Sequence, residues 1–308
     1  SSGEMRRLKL ELKVLADVGL LGLPNAGKST LVNQLVGAKV SIVSAKAQTT
    51  RTRVMGVRME GNTQLIFVDT PGIFSPRRRL DRAMVHAAWS GAEDADAICL
   101  VYDAAKGDPK GLEGLLDKLR AQSAMRILIL NKVDQIKRVK LLALSARLNQ
   151  LADFNHTFMI SALLGDGVDD LASVLAESAP EGPWLFPEDQ LSDMQERSFA
   201  AEITREQAFH QLGQEVPYSL TVETEEWKEF QNGEVRVEQT IYVERNSQRA
   251  IVLGKSGERI RRIREAAQAE LQKATDRKAH LFLFVKVRAN WTEDPERYAP
   301  WALDYNAE

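Results

Sequence analysis

Cysteine is nearly absent: these 308 residues hold one, Cys99, inside the apolar run 97–102. A single thiol excludes a disulfide framework within the chain, and this one reads as a buried small hydrophobe in a reducing compartment. Long apolar runs are missing too. No stretch approaches the ~18 residues that cross a bilayer, and no signal peptide is recognisable. Four scattered histidines (His86, His156, His210, His280) lack the spacing of a metal site. The net charge of −2 has no strong sign, so only its distribution can inform. With 44% hydrophobic and 27% charged residues, the chain has the profile of a globular protein, and its length suggests two domains.

The most informative stretch is Gly22-Leu23-Pro24-Asn25-Ala26-Gly27-Lys28-Ser29, followed by Thr30. It fits G-x-x-x-x-G-K-[ST], between an apolar run at 18–21 and an amphipathic segment at 28–36. Glycines let the backbone turn several N–H groups inward as a nest for anionic oxygens, and the helix adds its positive end to the same spot. Lys28 is expected to reach the β- and γ-phosphates and Ser29 to hold Mg²⁺. This context predicts a chain that binds a nucleoside triphosphate.

Around this loop, strand and helix patterns alternate. A period-two lead at 8–14 suggests a half-buried strand, and Ser1-Ser2-Gly3 reads as a tag remnant in an N-terminal lead of 1–15. Strands are predicted at 54–59 and 64–68, joined as a hairpin, and at 97–102, 126–130 and 156–160. Helices are predicted at 28–36, 80–93, 108–122, 139–152 and 168–177. The fold class is therefore α/β, a mostly parallel sheet with helices on both faces over residues 16–180. In such sheets ligands sit at the carboxyl ends of the strands, and the remaining motifs fall there. Asp69-Thr70-Pro71-Gly72 can hold Mg²⁺ through Asp69 and reach a γ-phosphate through the Gly72 N–H. Asn131-Lys132-Val133-Asp134 can select guanine, because the Asp134 carboxylate accepts from two donors that adenine lacks. Ser161-Ala162-Leu163 can offer a main-chain N–H to guanine O6. In Gln48-Thr49-Thr50-Arg51 one threonine is expected to close on Mg²⁺ and the γ-phosphate, with Thr50 preferred to Thr49. Lys28, Thr50 and Gly72 are thus the expected catalytic groups. After Gly72 comes Ile73 rather than a glutamine that could orient water, so unaided hydrolysis is expected to be slow.

A Pro- and Gly-containing linker at 181–197 leads to a second domain, 198–308. Residues 184–187 are expected to pack on one domain or bridge both. Helical periodicity at 198–212 precedes strands at 218–224 and 235–243. Then come an apolar run at 250–253, Gly254-Lys255-Ser256-Gly257, a basic amphipathic helix at 258–274 and a strand at 281–287. A G-x-x-G loop between helices clamps a nucleic-acid backbone in KH domains. Residues 249–290 hold eleven Lys and Arg against four Asp and Glu, a net of +7. Residues 181–248 hold five against fifteen, a net of −10. A basic face inside an acidic protein is the electrostatic footprint of a phosphate backbone. The expected RNA-binding residues are Ile251, Leu253, Gly254, Lys255, Ser256, Gly257, Arg259, Arg261 and Arg262.

The segments 33–44, 46–51, 67–73 and 186–189 resemble the Era family of GTPases, and the likeness extends over about residues 22–300. Residues 10–22 resemble instead the entry to the GTPase domain of Obg. The Era resemblance implies a P-loop, Ras-like GTPase domain followed by an α+β type II KH domain. It implies binding of single-stranded RNA, the 3′ end of small-subunit ribosomal RNA, and a role in small-subunit assembly. It also implies a monomer in the cytoplasm, partly associated with the inner membrane surface. Asn25 matches a P-loop asparagine that ligates K⁺ in similar GTPases. Two other readings stay open on the sequence: a signalling GTPase whose second domain binds a protein, and an Obg-like ribosome-associated switch.

Overall fold

The computed structural model describes residues 12–46, 49–76, 78–93, 95–107, 109, 111–213 and 216–307. Strand β1 (Lys13–Leu21) runs between β3 (Thr63–Asp69) and β4 (Ala97–Asp103), parallel to both. With β2 (Val54–Glu60), β5 (Met125–Asn131) and β6 (His156–Met159) they form a six-stranded sheet in the order β2-β3-β1-β4-β5-β6. Only the β2–β3 hairpin is antiparallel. Strands β3 and β4 are buried along their whole length, which is why they read as unbroken apolar runs rather than alternations. The expected lead at 8–14 enters β1 at Lys13 and Val14, and its residues 8–11 lie outside the described ones. A register shift between Leu15 and Val18, with Asp17 at φ 60°, gives β1 a bulge that an apolar-run reading cannot show.

Both faces carry helices. Leu31 and Leu35 of α1 (Lys28–Val36) and Leu171 and Leu175 of α5 (Val168–Ser178) share one core with Val18, Phe67 and Ile129. On the other face Trp89 of α2 (Arg79–Glu93), Leu116 of α3 (Glu113–Arg120) and Leu144 of α4 (Arg138–Leu151) pack on Leu100 and Leu128. Helix α3 starts five residues later than its pattern suggests, because Gly111 sits at φ 79°, outside the helical region.

The segment after α5 lies along β2. Val57 N–H donates to Leu191 O (2.9 Å), and the buried Gln64 amide pairs with the main chain of Leu185 and Phe186. This covers a sheet edge that would otherwise be open. The second unit begins with α6 (Glu196–Gln211) and has a three-stranded sheet in the order β7 (Leu220–Glu229), β8 (Val235–Val243), β9 (Ala279–Val287). β8 and β9 are parallel, so a crossover must join them, and it consists of α7 (Asn246–Leu253) and α8 (Glu258–Thr275). After β9 the chain makes three short 3₁₀ turns that the sequence pattern does not announce. They bring Trp291, Tyr298, Leu303 and Ala307 onto Leu80, Ala83 and Met84 of α2, so the two units share a hydrophobic core.

Candidate functional site

Glycines at two points of the phosphate loop are dictated by packing. A Cβ on Gly22 would lie 2.3 Å from Val101 O, and one on Gly27, at φ 94°, 2.3 Å from Asn131 Nδ2. Between them the loop walls a cavity of about 290 Å³ that also takes in Lys28, Ser29, Thr50 and Gly72. Lys28 is buried, its Nζ 3.4 Å from Gly22 O; burial pushes its pKa down, opposed by the Asp69 carboxylate. A buried ammonium held by one weak carbonyl contact is poised for an anion.

Beside it, side chains from the first turn of α1 and from the connection between α1 and β2 converge on Asp69. Its Oδ2 accepts from Ser29 Oγ at 2.6 Å, from Ser41 Oγ at 2.6 Å and from Thr50 Oγ1 at 3.3 Å, and the Ser29 and Thr50 hydroxyls are 3.0 Å apart. Asp69 is fully buried and its Oδ1 has no hydrogen-bond partner. Burial raises its pKa, opposed by Lys28 and the three hydroxyls. A carboxylate with one oxygen met by hydroxyls and the other unpartnered is an all-oxygen donor set that suits a hard divalent cation. Of the two threonines, Thr50 points here, whereas Thr49 Oγ1 donates to Lys46 O at 2.7 Å. Ser41 is the member that sequence reasoning missed, since nothing in its neighbourhood marks it.

Asn131 ties the site together. Its Nδ2 donates to Ala26 O (2.9 Å), and its Oδ1 accepts from the N–H groups of Lys132 (2.8 Å) and Ala162 (2.9 Å). Lys132, at φ 64°, reaches Asn25 O at 2.8 Å and Asp103 at 2.7 Å. Asp134 is exposed at the rim and accepts from Ser161 Oγ at 2.7 Å. The Ala162 N–H is already engaged, so a guanine O6 contact from that N–H competes with an existing bond. Leu163 is exposed and Val133 packs on the core below. Three other expected residues face elsewhere. The buried Thr70 hydroxyl donates to Leu20 O (2.6 Å), Pro71 is buried beside it, and Ile73 packs on the core while its N–H donates to Gly22 O at 3.0 Å. Gly72 lies against the loop, where a Cβ would meet Pro24 at 2.9 Å.

In the second unit, Gly254 (φ 71°), Ser256 (φ 52°) and Gly257 (φ 77°) form the turn between α7 and α8. A Cβ at Gly254 would press Arg259 N at 3.0 Å. Lys255, Ser256 and Ile251 are exposed. Leu253 instead packs against the core. Arg259 donates to Ile251 O and Arg262 pairs with Glu258, while Arg261 is exposed on the first turns of α8.

Lys39, Lys46 and Arg51 reach across to this second unit. Lys39 pairs with Glu206 (2.5 Å) and Glu270 (2.8 Å), and Lys46 donates to Phe209 O and Leu212 O at the end of α6. Arg51 is buried and donates to Leu220 O at 2.8 Å; burial, with Arg205 nearby, pushes its pKa down to about 9.

Residues 17–132 match the family described as 50S ribosome-binding GTPase, and residues 215–292 match the KH domain. The GTPase Era of Afipia carboxidovorans is 56% identical over 291 residues, covering 94% of each chain. That of Rhizobium meliloti is 55% identical over 288 residues, 94% of this chain and 92% of its own. The chain belongs to the Era family of GTPases. A solved structure of Era with MgGDPNP and nucleotides 1506–1542 of 16S ribosomal RNA superposes with a TM-score of 0.88. It is 36% identical and covers 95% of this chain and 99% of its own. An Aquifex aeolicus Era variant bound to GDP and aluminium fluoride gives the same TM-score, identity and coverage. The two units are accordingly a Ras-like GTPase domain and a KH domain, as the resemblance implies.

Proposed function

We propose that this GTPase is a Mg²⁺-dependent switch that binds single-stranded RNA, the 3′ end of small-subunit ribosomal RNA, and acts in small-subunit assembly. The observation that carries the switch is the meeting of the Ser29 and Thr50 hydroxyls on Oδ2 of the buried Asp69, whose Oδ1 has no partner, next to the buried Lys28. Mg²⁺ would be held there by Ser29 and Thr50, with Asp69 acting through water, and would neutralise charge on the transferring phosphate. The residues Gly22 to Thr30 bind the phosphates, Gly72 approaches the γ-phosphate, and Asn131 and Asp134 select guanine. No side chain in the Ile73 position can orient water, so the slow step lies in placing it.

K⁺ beside Asn25 would supply further positive charge at the transition state. The Asn25 amide, 2.8 Å from Ala45 O, already sits against the main chain of the segment that carries Thr50. The Era structure with 16S ribosomal RNA supports the choice of RNA. The exposed Lys255-Ser256 turn with its two glycines supports the KH loop as the clamp, with Ile251 and Arg261 beside it. A cytoplasmic monomer with peripheral membrane association would fit this role; no helix among the described residues is long and apolar enough to cross a bilayer.

The deciding experiment titrates a fluorescent oligonucleotide of the small-subunit rRNA 3′ end into the full chain, with Mg·GDP and with a non-hydrolysable GTP analogue. Tighter binding in the analogue state, lost with a scrambled oligonucleotide, is the expected result. Equal binding in both nucleotide states would end the switch reading, and equal binding of the scrambled oligonucleotide would end the rRNA assignment.

A further inference from the structure

Within residues 49–51 it is Thr50 that points at Asp69, and its two neighbours are fixed by the other half of the molecule. Arg205 on α6 is 1% exposed, and its Nη2 donates to the Thr49 carbonyl. Glu202, three residues back on the same helix, holds that guanidinium from behind. On the other side the Arg51 side chain leaves the GTPase domain altogether. Its Nη1 donates to Leu220 O at 2.8 Å and its Nη2 to Pro217 O and Tyr218 O at 3.4 Å, with the Trp291 ring 5.5 Å away. The Thr49 carbonyl and the Arg51 guanidinium are thus both anchored in the KH half, and the residue between them is turned the opposite way.

We propose that Arg205 is a positioning residue for GTP hydrolysis that acts from the RNA-binding half, holding the Thr49 carbonyl so that Thr50 faces the metal, with Arg51 as the second anchor. This rests on the reading of Thr50 as a Mg²⁺ ligand. Two guanidinium groups buried close together repel each other and are costly to desolvate. Arg205 even keeps one donor, Nη1, without a partner. A purely structural contact between domains has cheaper solutions, such as the apolar packing that Trp291 and Met84 already supply. What a guanidinium adds is a directional grip on one carbonyl. It grips main chain, so it fixes the path of the segment whatever side chain Thr49 carries. Thr50 cannot then withdraw from Asp69 unless the Arg205 contact breaks or α6 moves with it. Release of the metal-facing threonine and displacement of the KH half become one event.

The test is a double-mutant cycle on the full chain with Arg205→Ala, Thr50→Ala and the pair, and with Arg205→Lys as the conservative variant. Affinities for Mg·GDP and a non-hydrolysable Mg·GTP analogue, single-turnover hydrolysis and thermal melting are measured for each. R205A should keep GDP affinity within about twofold and lose about tenfold in analogue affinity and in hydrolysis, the scale of one charge-assisted hydrogen bond. R205K should recover part of the loss, and R205A should add less than about twofold in the T50A background. A purely structural role would lower GDP and analogue affinity together. If T50A itself leaves the analogue and hydrolysis unchanged, the Thr50 reading fails, whatever Arg205 does. If T50A is slow but R205A resembles the parent, or the two losses multiply, the positioning role of Arg205 is overturned. Should R205A melt out, Arg51→Lys enters the same cycle with the same expectation and the same two ways to fail.

Discussion

At the residue scale, the guanine selection proposed for Asp134 starts from a carboxylate that the Ser161 hydroxyl already meets at 2.7 Å. Asp134→Asn replaces an acceptor by a mixed amide and loses two charge-assisted hydrogen bonds to the base. GTP affinity should fall by about 2–4 kcal/mol, with preference moving to the xanthine nucleotide, which presents a carbonyl there. Competition between the two nucleotides for the variant measures this, and a variant that still prefers GTP contradicts the assignment. Asn25 lends itself to a salt comparison. Hydrolysis should be faster in KCl than in NaCl for the parent, and Asn25→Ala should abolish the difference without abolishing nucleotide binding. Equal parental rates in the two salts would remove K⁺ from the scheme.

At the scale of elements, the chain's pattern located every strand of the larger sheet and the three of the smaller one along the chain. Their apolar runs and alternations report burial directly, as the full burial of β3 and β4 shows. Asn131 was legible as a guanine-loop residue but not as the tie between Ala26 and Ala162, because its partners come from two distant loops. Ser41 and Arg205 were not legible at all: each looks like an ordinary serine or arginine until the fold places Asp69 or Thr49 beside it. The late start of α3 and the tail after β9 were missed for the opposite reason, since a glycine at φ 79° and a string of short turns leave no periodicity. The Gly254–Gly257 turn is an element whose role is open to a clean trial. Lys255→Asp with Ser256→Asp places two carboxylates where phosphates would lie, keeps both glycines, and alters only exposed side chains. RNA affinity should drop by several kcal/mol, of the order of charge clashes across interfaces, while melting and RNA-free hydrolysis stay near parental values. Neutralising Arg261 alone should weaken binding mildly and flatten its salt dependence by about one phosphate. An aspartate pair that binds single-stranded RNA like the parent would reduce the loop to a turn.

For the whole molecule, a shared hydrophobic cluster and several polar contacts tie the two domains together. Lys39 bridges to Glu206 on α6 and Glu270 on α8, and α8 begins at the Gly257 end of the Gly254–Gly257 turn. The tail after β9 closes over α2, the helix that follows the Asp69–Gly72 loop. The segments around Asp69, helices α6 and α8 and the tail therefore form one connected body in this structure. Trp291 is its keystone. It is 1% exposed, donates Nε1–H to Ser219 O at 3.1 Å, lies edge-on to Trp301 at 6.0 Å and has Arg51 over its ring. Trp291→Ala leaves a cavity at the junction of α2, the start of β7 and the Arg51 anchor, and should cost about 3–5 kcal/mol. Because the lost contacts are those between the units, the cost should fall on their coupling. Calorimetry of the parent should show one cooperative transition, and the variant two, the earlier of which shifts upward when Mg²⁺ and a GTP analogue are added. A variant that still melts in a single transition, merely at lower temperature, would show that Trp291 stabilises the fold as a whole without linking the nucleotide site to the RNA-binding half.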